Sequence, residues 1–265
     1  MPNLILPNRR IRSVDWGSPQ ARGLVGFWPM NEGVGTTLKD WSRGNNDCNT
    51  ASGHGPYASA VSPVWVTETN GPANYFGYYY VQNLTVNNPY TTFDSVLQDY
   101  TFSLWFNNIG GVKSQAGYDK LLQKNISNIA LIRNNLNSNQ WIAYVDGAFS
   151  AGYLTLKDGI PHHFVCIRKG ATLYLIGDGG QQISSGACST APTDTTVLSF
   201  GGEPTNSQQN FVGAMWDVRV YNRALSMSEV MDLYGNPNRI WQNQAAIILK
   251  GVPSSGATPG ICIIT

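Results

Sequence analysis

At 265 residues with a formal net charge of +1, the chain is long enough for one large domain and too nearly neutral to coat nucleic acid or an acidic membrane surface. Hydrophobic residues make up 42% and charged residues 12%, with 28 glycines, the balance of a β-rich protein with an ample core and long polar loops. No run approaches the ~20 apolar residues that span a bilayer. The triplet LIL before Arg9 is too short for the apolar core of a secretory signal, so the expectation is synthesis in the cytoplasm without membrane insertion.

Residues 1–20 carry Arg9, Arg10 and Arg12 beside LIL and three prolines, and read as an extended N-terminal arm. Short strand candidates then recur with turn signals between them. They are GLVGFWPM at 23–30, YFGYYYVQNLTV at 75–86, YTFSLWFN at 100–107, KLLQK, NIALIR, QWIAYVDG, GYLTLKDG, HHFVCIRKG, ATLYLIGDGG and TVLSFGGE. In TFSLWF, alternation puts Phe102, Leu104 and Phe106 on one face and Ser103 and Trp105 on the other. Asp146-Gly147, Asp158-Gly159 and Asp178-Gly179 mark tight turns. Strands of this length and spacing predict an all-β antiparallel sandwich.

The most strongly specified stretch is FVGAMWDVRVYNRALSMSEVMDLYGNP, residues 211–237. Alternation predicts Val212, Ala214, Trp216, Val218 and Val220 on one strand face, with Met215, Asp217, Arg219 and Tyr221 on the other. Ser226 and Glu229 have the spacing of a capping box, and Leu225 and Val230 that of a hydrophobic staple. Met227, Val230, Met231 and Tyr234 then predict the buried face of a short helix, ended by Gly235 as a left-handed cap before Pro237. Residues 238–265 contain one Arg, one Lys, no acid and several isoleucines, and read as a second extended arm. Four widely spaced cysteines without a CxxC pair argue against a disulfide scaffold or a zinc site, and Cys166 reads as a small buried hydrophobe.

ARGLVGFWPMNEGVGTTLKDWSRGNND, YTFSLWF, HHFVCIRKGATLYLIGDG and FVGAMWDVRVYNRALSMSEVMDLY together resemble a laminin-G-like, concanavalin A-like jelly-roll domain over residues 21–237. The resemblance implies a jelly-roll sandwich with one short C-terminal helix between two extended arms. One departure stands out: Trp216 occupies a position where the family's closing strand has an acid, beside Asp217. Chains that open with ARGLV and NEG and continue past the helix with LY and W also resemble virion-associated proteins of tailed bacteriophages. That resemblance implies a non-catalytic structural protein of the virion, a capsid decoration or tail-associated subunit. It would be made in the host cytoplasm and assembled with other virion proteins and further copies of itself.

A glycosidase of this fold needs two carboxylates ~5–9.5 Å apart. The family's Glu-x-Asp-x-x-Glu is absent, and the four glutamates are Glu32, Glu68, Glu203 and Glu229. His162 and His163 are adjacent on a strand and point to opposite faces, so they do not chelate one ion. The expectation is therefore a protein that is not an enzyme and has no required cofactor. KDWSRGNND offers Asp40, Asn45 and Asp47 as oxygen ligands for calcium, against the simpler reading of a polar loop closed by Asx turns. Tyr78, Tyr79 and Tyr80 form the aromatic cluster suited to stacking on sugar, against the reading of a half-buried sheet, and host-surface glycan is the implied ligand. Arg9, Arg10, Arg12, Trp241, Ile247, Ile248 and Ile263 are the expected partner-docking residues of the arms. A free carbohydrate-binding module is the alternative function.

Overall fold

The structure, a computed structural model, describes residues 13–32, 37–49, 64–68, 71–76, 84–86, 99–108, 118–124, 129–134, 139–145, 148–149, 152–188, 198–202, 211, 213–242, 249–250 and 261–262. Tyr78, Tyr79, Tyr80, Arg9, Arg10, Arg12, Ile247, Ile248 and Ile263 lie outside them, as does the Asp146-Gly147 turn.

Two antiparallel sheets form the sandwich, with strands numbered along the chain. The first contains β1 (Leu24–Trp28), β4 (Val64–Glu68), β5 (Gly71–Phe76), β7 (Tyr100–Asn108), β13 (His162–Lys169), β14 (Thr172–Gly177), β15 (Gln182–Ala187) and β17 (Gly213–Tyr221). Its order is β15-β14-β13-β7-β17-β5-β4, and β1 also pairs with β17. The second contains β2 (Thr37–Leu38), β3 (Cys48–Asn49), β6 (Leu84–Val86), β8 (Tyr118–Lys124), β9 (Ile129–Asn134), β10 (Gln140–Val145), β11 (Ala148–Phe149), β12 (Leu154–Thr155) and β16 (Leu198–Phe200). Its order is β11-β10-β9-β8-β16-β6-β3-β2, with β12 on β10. A separate two-stranded ribbon joins β18 (Leu249–Lys250) to β19 (Ile261–Cys262).

The inner faces meet in one apolar core. Phe102, Leu104 and Phe106 of β7 and Phe164 and Cys166 of β13 pack there with Leu122, Leu131 and Trp141 of the second sheet. Each such side chain withdrawn from water contributes about 2 kcal/mol. The outer face of the first sheet carries a second core, where Val165, Ile167, Ile176 and Tyr221 meet α1 (Met227–Gly235). The predicted alternation of TFSLWF is therefore realised, because both faces of β7 are covered.

In β17 the predicted faces are wrong for half the strand. Register shifts between Trp216 and Arg219, and Asp217 sits at φ 51. This bulge reverses the alternation, since one extra residue exchanges the faces. Met215 pairs with Phe106 on the inner face, whereas Trp216 pairs with Trp105 on the outer one. Val220, beyond the bulge, faces inward opposite Phe102 as expected.

The capping box of α1 forms as predicted, with Ser226 accepting from Glu229 N and Glu229 reaching back to Ser226 N. Leu225 and Val230 are both buried in the outer core. The buried helical face is Val230 and Leu233, with Tyr234 half-buried; Met227 is exposed, and Met231 is 58% exposed. The helix approaches the sheet rotated toward Leu233, which lets Tyr234 stack on Trp105. Gly235 is not left-handed; Asn236, at φ −134 and ψ 54, closes the helix with its N–H on the carbonyl of Asp232.

Packing onto the sandwich runs from Ser13 to Gln242, on either side of the residues 21–237 assigned to the domain. Val14 bridges Trp241, Asp15 N donates to Ile240 O at 2.8 Å, and Gln242 N donates to Ser13 O at 3.0 Å. Trp241, expected to dock a partner, is instead 7% exposed, its ring 5.2 Å from Phe27 and 5.4 Å from Trp41. A tryptophan with two aromatic neighbours of its own chain completes the outer core rather than displaying itself.

Candidate functional site

Alternation on β8, β9 and β10 places Asp119, Arg133 and Trp141 side by side on the inner face of the second sheet, in register across the three strands. Phe106 brings β7 against this row, with its ring 4.5 Å from Trp141. Two residues further on, Asn108 lies at the same end of the sandwich. The turn at Asp158-Gly159, with Gly159 at φ 83, folds over it. Gly159 N donates to Asn108 O at 2.7 Å, and Asn108 Nδ2 donates to Asp158 Oδ1 at 2.8 Å.

Arg133 joins the two carboxylates. Its Nη2 donates to Asp158 Oδ2 at 2.7 Å, and its Nη1 lies 3.6 Å from Asp119 Oδ2. The Asp119 and Arg133 side chains are wholly enclosed, whereas that of Asp158 is 29% exposed. Neither oxygen of Asp119 accepts a hydrogen bond, and Arg133 Nε, Trp141 Nε1 and Asn108 Oδ1 are also unpartnered. Unpaired buried polar atoms cost about 1–3 kcal/mol each and ordinarily mark water or ligand positions. Burial pushes the Asp119 carboxyl up to about 6, against the opposing pull of Arg133. Perturbed titration, enclosure and unspent hydrogen-bonding capacity coincide at this end.

Sequence reading missed this row. Asp119, Arg133 and Trp141 lie far apart in the chain, and only pairing of three strands brings them together. The usable signal was a charge at an inward position of a short strand, once in β8 and once in β9. Asp158 had been assigned only to a turn.

The loop proposed for calcium has a different occupation. Asp40 Oδ1 accepts from Phe27 N at 2.9 Å and Ser42 N at 2.8 Å, while Oδ2 accepts from Ser42 Oγ and Asn46 N, each at 2.9 Å. Asp47 Oδ1 accepts from Asp40 N at 2.9 Å. Asn45 is exposed at φ 55. The structure thus brings Asp40 and Asp47 together, but it turns them toward N–H and O–H donors as an Asx-type loop does. No group of three His, Cys, Asp or Glu that could hold a metal ion occurs among the described residues.

The histidines do face opposite ways, His162 opposite Phe106 and His163 opposite Trp105. His163 Nε2 lies 2.9 Å from Ser103 Oγ, a spacing familiar from nucleophilic hydrolases. Burial first, and then the charge of Arg219, lowers His163 to about 3, so it is neutral beneath α1 with its Nδ1 unpartnered. A pair this enclosed has no substrate access and serves the packing of the outer face.

The model of the "Concanavalin A-like lectin/glucanases superfamily" matches residues 80–231, more than half of the chain. No curated protein sequence matches it. Among solved structures, the binding domain of Paraclostridial mosquitocidal protein 1 is similar with a TM-score of 0.63 at 15% identity, over 81% of this chain and 52% of that one. Domain 4 of AbnA, an extracellular GH43 arabinanase from Geobacillus stearothermophilus in complex with arabinotriose, gives a TM-score of 0.54 at 15% identity, over 80% of this chain and 98% of that one. Trypanosoma rangeli sialidase in complex with 2,3-difluorosialic acid gives 0.59 at 17% identity, over 82% of this chain but 34% of the enzyme. At these identities the likeness is one of fold.

Proposed function

Because the chain belongs to the concanavalin A-like lectin/glucanase superfamily, we propose that it is a non-catalytic recognition module whose ligand is a glycan. The observation that carries this reading is the enclosed Asp119–Arg133–Trp141 row with unspent donors and acceptors behind the partly exposed Asp158. Sugar hydroxyls donate to carboxylates, and Asp158 is the solvent-facing member of the set, braced from behind by the wholly enclosed Arg133. The similar arabinanase domain, aligned over nearly its whole length, supports a binding role on this fold. Asp119 and Asp158 also converge as a carboxylate pair, but Arg133 stands between them and Asp119 has no exposed surface, an arrangement suited to holding rather than cleaving.

The test is a glycan array with the full chain, followed by calorimetry of the best hit with wild type and Asp158→Asn. Binding that weakens about tenfold in the variant supports the site. A silent array, or equal affinity of the two proteins, overturns it. Release of reducing sugar from the hit would replace the non-catalytic reading with a glycosidase.

A second reading adds attachment to a larger particle, a phage virion with other virion proteins and further copies of this chain. The observation favouring it is that Ser13 and Gln242 are hydrogen-bonded through both main chain and side chain, so the chain enters and leaves the sandwich at one place. Residues 1–12 and 243–265 therefore share one point of origin for a common tether. Co-sedimentation with particles, comparing the full chain with one trimmed to 13–242, tests this. Equal behaviour of the two would remove the tether.

A further inference from the structure

β15 ends the first sheet, and one of its two sides has no partner strand among the described residues. Its pairing with β14 fixes which groups face that open side. Cys188 N donates to Ala171 O at 2.9 Å, continuing the register that sets Thr172 opposite Ala187. In an antiparallel pair, residues that bond the neighbouring strand alternate with residues that turn their N–H and C=O away from it. Gln182, Ser184 and Gly186 therefore bond β14, whereas Ile183, Ser185 and Ala187 turn their main-chain groups outward. All three are exposed, Ile183 to 58%.

The other ends of the two sheets are blunted. β2 and β11 are two residues long, and β4 finishes on the acid Glu68. Short strands, charges, prolines and bulges are the devices that keep an edge from pairing with another chain. β15 has none of them: it runs six residues, about 20 Å, with no charge, no proline and no register shift. It is also braced from within. Thr155 N donates to Gln182 Oε1 at 2.7 Å, and Gln182 Nε2 donates to Thr155 O at 2.6 Å. Gly152 lies so near that a Cβ there would come within 2.4 Å of Ser184 Oγ. This brace engages the side chains of Gln182 and Ser184 and leaves the outward main-chain groups unbonded. Tyr153, in the same segment, is 54% exposed beside the edge.

We propose that β15 is a docking edge for a second copy of this chain, joined antiparallel about a two-fold axis through Ser185. A strand that pairs with itself in this way makes an isologous contact, closed at two copies. The register sets Ser185 opposite the partner's Ser185 and Ile183 opposite the partner's Ala187, and it uses every outward group of the strand. The largest outward side chain thus meets the smallest, and each exposed isoleucine is covered. No charge meets its like across the axis, and a net charge of +1 adds little repulsion between copies. The contact is small, so the dissociation constant should be on the order of 100 µM. The edge supplies a surface for the self-association in the second reading above, but it requires neither particle nor glycan.

Sedimentation velocity of the purified full chain from about 10 to 500 µM tests it. Wild type should pass from monomer to dimer across that range. Ser185→Lys and Ser185→Asp each place like charges directly opposite one another, and each should raise the dissociation constant about tenfold. An equimolar mixture of the two variants should dimerise at least as well as wild type, a rescue that misfolding of either could not give. Wild type that stays monomeric throughout, single variants that dimerise unchanged, or a mixture no better than its components overturns the proposal. Neither glycan nor particle enters the measurement, so failure of the edge is visible apart from failure of the recognition or tether readings.

Discussion

Arg219 grips Asp217, two residues back on its own strand, with Nε 2.9 Å from Oδ1 and Nη2 2.9 Å from Oδ2. The same guanidinium donates through Nη1 to Gln20 Oε1 at 2.8 Å and through Nη2 to Pro237 O at 2.6 Å. It thus ties the segments at Gln20 and Pro237 to the closing strand, and it is almost wholly buried. Arg219→Met should destabilise the fold by about 3–5 kcal/mol in urea unfolding, because Asp217 is left as an uncompensated, nearly buried charge. The double variant with Asp217→Asn should recover much of that loss. A single variant within about 1 kcal/mol of wild type would show that the pair adds little beyond volume.

Helix docking turns on an aromatic stack. Tyr234 lies 5.4 Å from Trp105 with 11° between their planes, and Trp105 in turn lies 6.2 Å from Trp216. Tyr234→Ala should cost about 2 kcal/mol, combining lost area with a stacking contribution near 1 kcal/mol. Tyr234→Phe keeps the ring and gives up only a long 3.5 Å contact with Gln181, so it should fall within about 0.5 kcal/mol of wild type. Equal losses in the two variants would assign the effect to the hydroxyl instead.

How much of this was legible follows from how local each signal is. The capping box at Ser226 and Glu229 and the alternation of Phe102, Leu104 and Phe106 are written within a few residues, and both were read correctly. The face of Trp216 was not, because a bulge leaves no compositional mark and its consequence reverses everything upstream of it. β15 also escaped notice. Its sequence QISSGA has one large apolar residue, and its place at the sheet edge asks for little burial. The Asp119–Arg133–Asp158 cluster depends on the pairing of β8 with β9 and on a turn more than twenty residues away, so no window of sequence contains it. Trp241 was misjudged because its partners, Phe27 and Trp41, lie about two hundred residues earlier.

The loop at residues 40–47 yields a prediction about metal removal. With both Asp40 oxygens facing protein donors, chelation should leave the midpoint of thermal unfolding unchanged. Asp40→Asn should lower stability by about 1–3 kcal/mol, since an amide nitrogen would confront N–H groups that need an acceptor. A fall in the midpoint on adding EGTA, restored by calcium, would reinstate a cation at Asp40 and Asp47.

Two carboxylates should shape the pH profile from opposite sides. Burial raises Asp119 from 3.8 to about 6, so the folded chain holds that proton more tightly than the unfolded one. Its contribution is complete below about pH 4 and is lost as pH climbs through 6, amounting to no more than about 3 kcal/mol. Glu229 runs the other way. Hydrogen bonds from Arg223, chiefly, lower it from 4.5 to about 2, so its contribution is present above pH 4.5 and vanishes as pH falls toward 2. Asp119→Asn should therefore flatten the decline in unfolding free energy between pH 4 and 6 while leaving the acid limb intact. Glu229→Gln, which retains a side chain able to reach Ser226 N, should flatten the acid limb and spare the other. If Asp119→Asn left the pH 4–6 slope unchanged, Asp119 would have to be ionised in the fold, its charge fully met by Arg133.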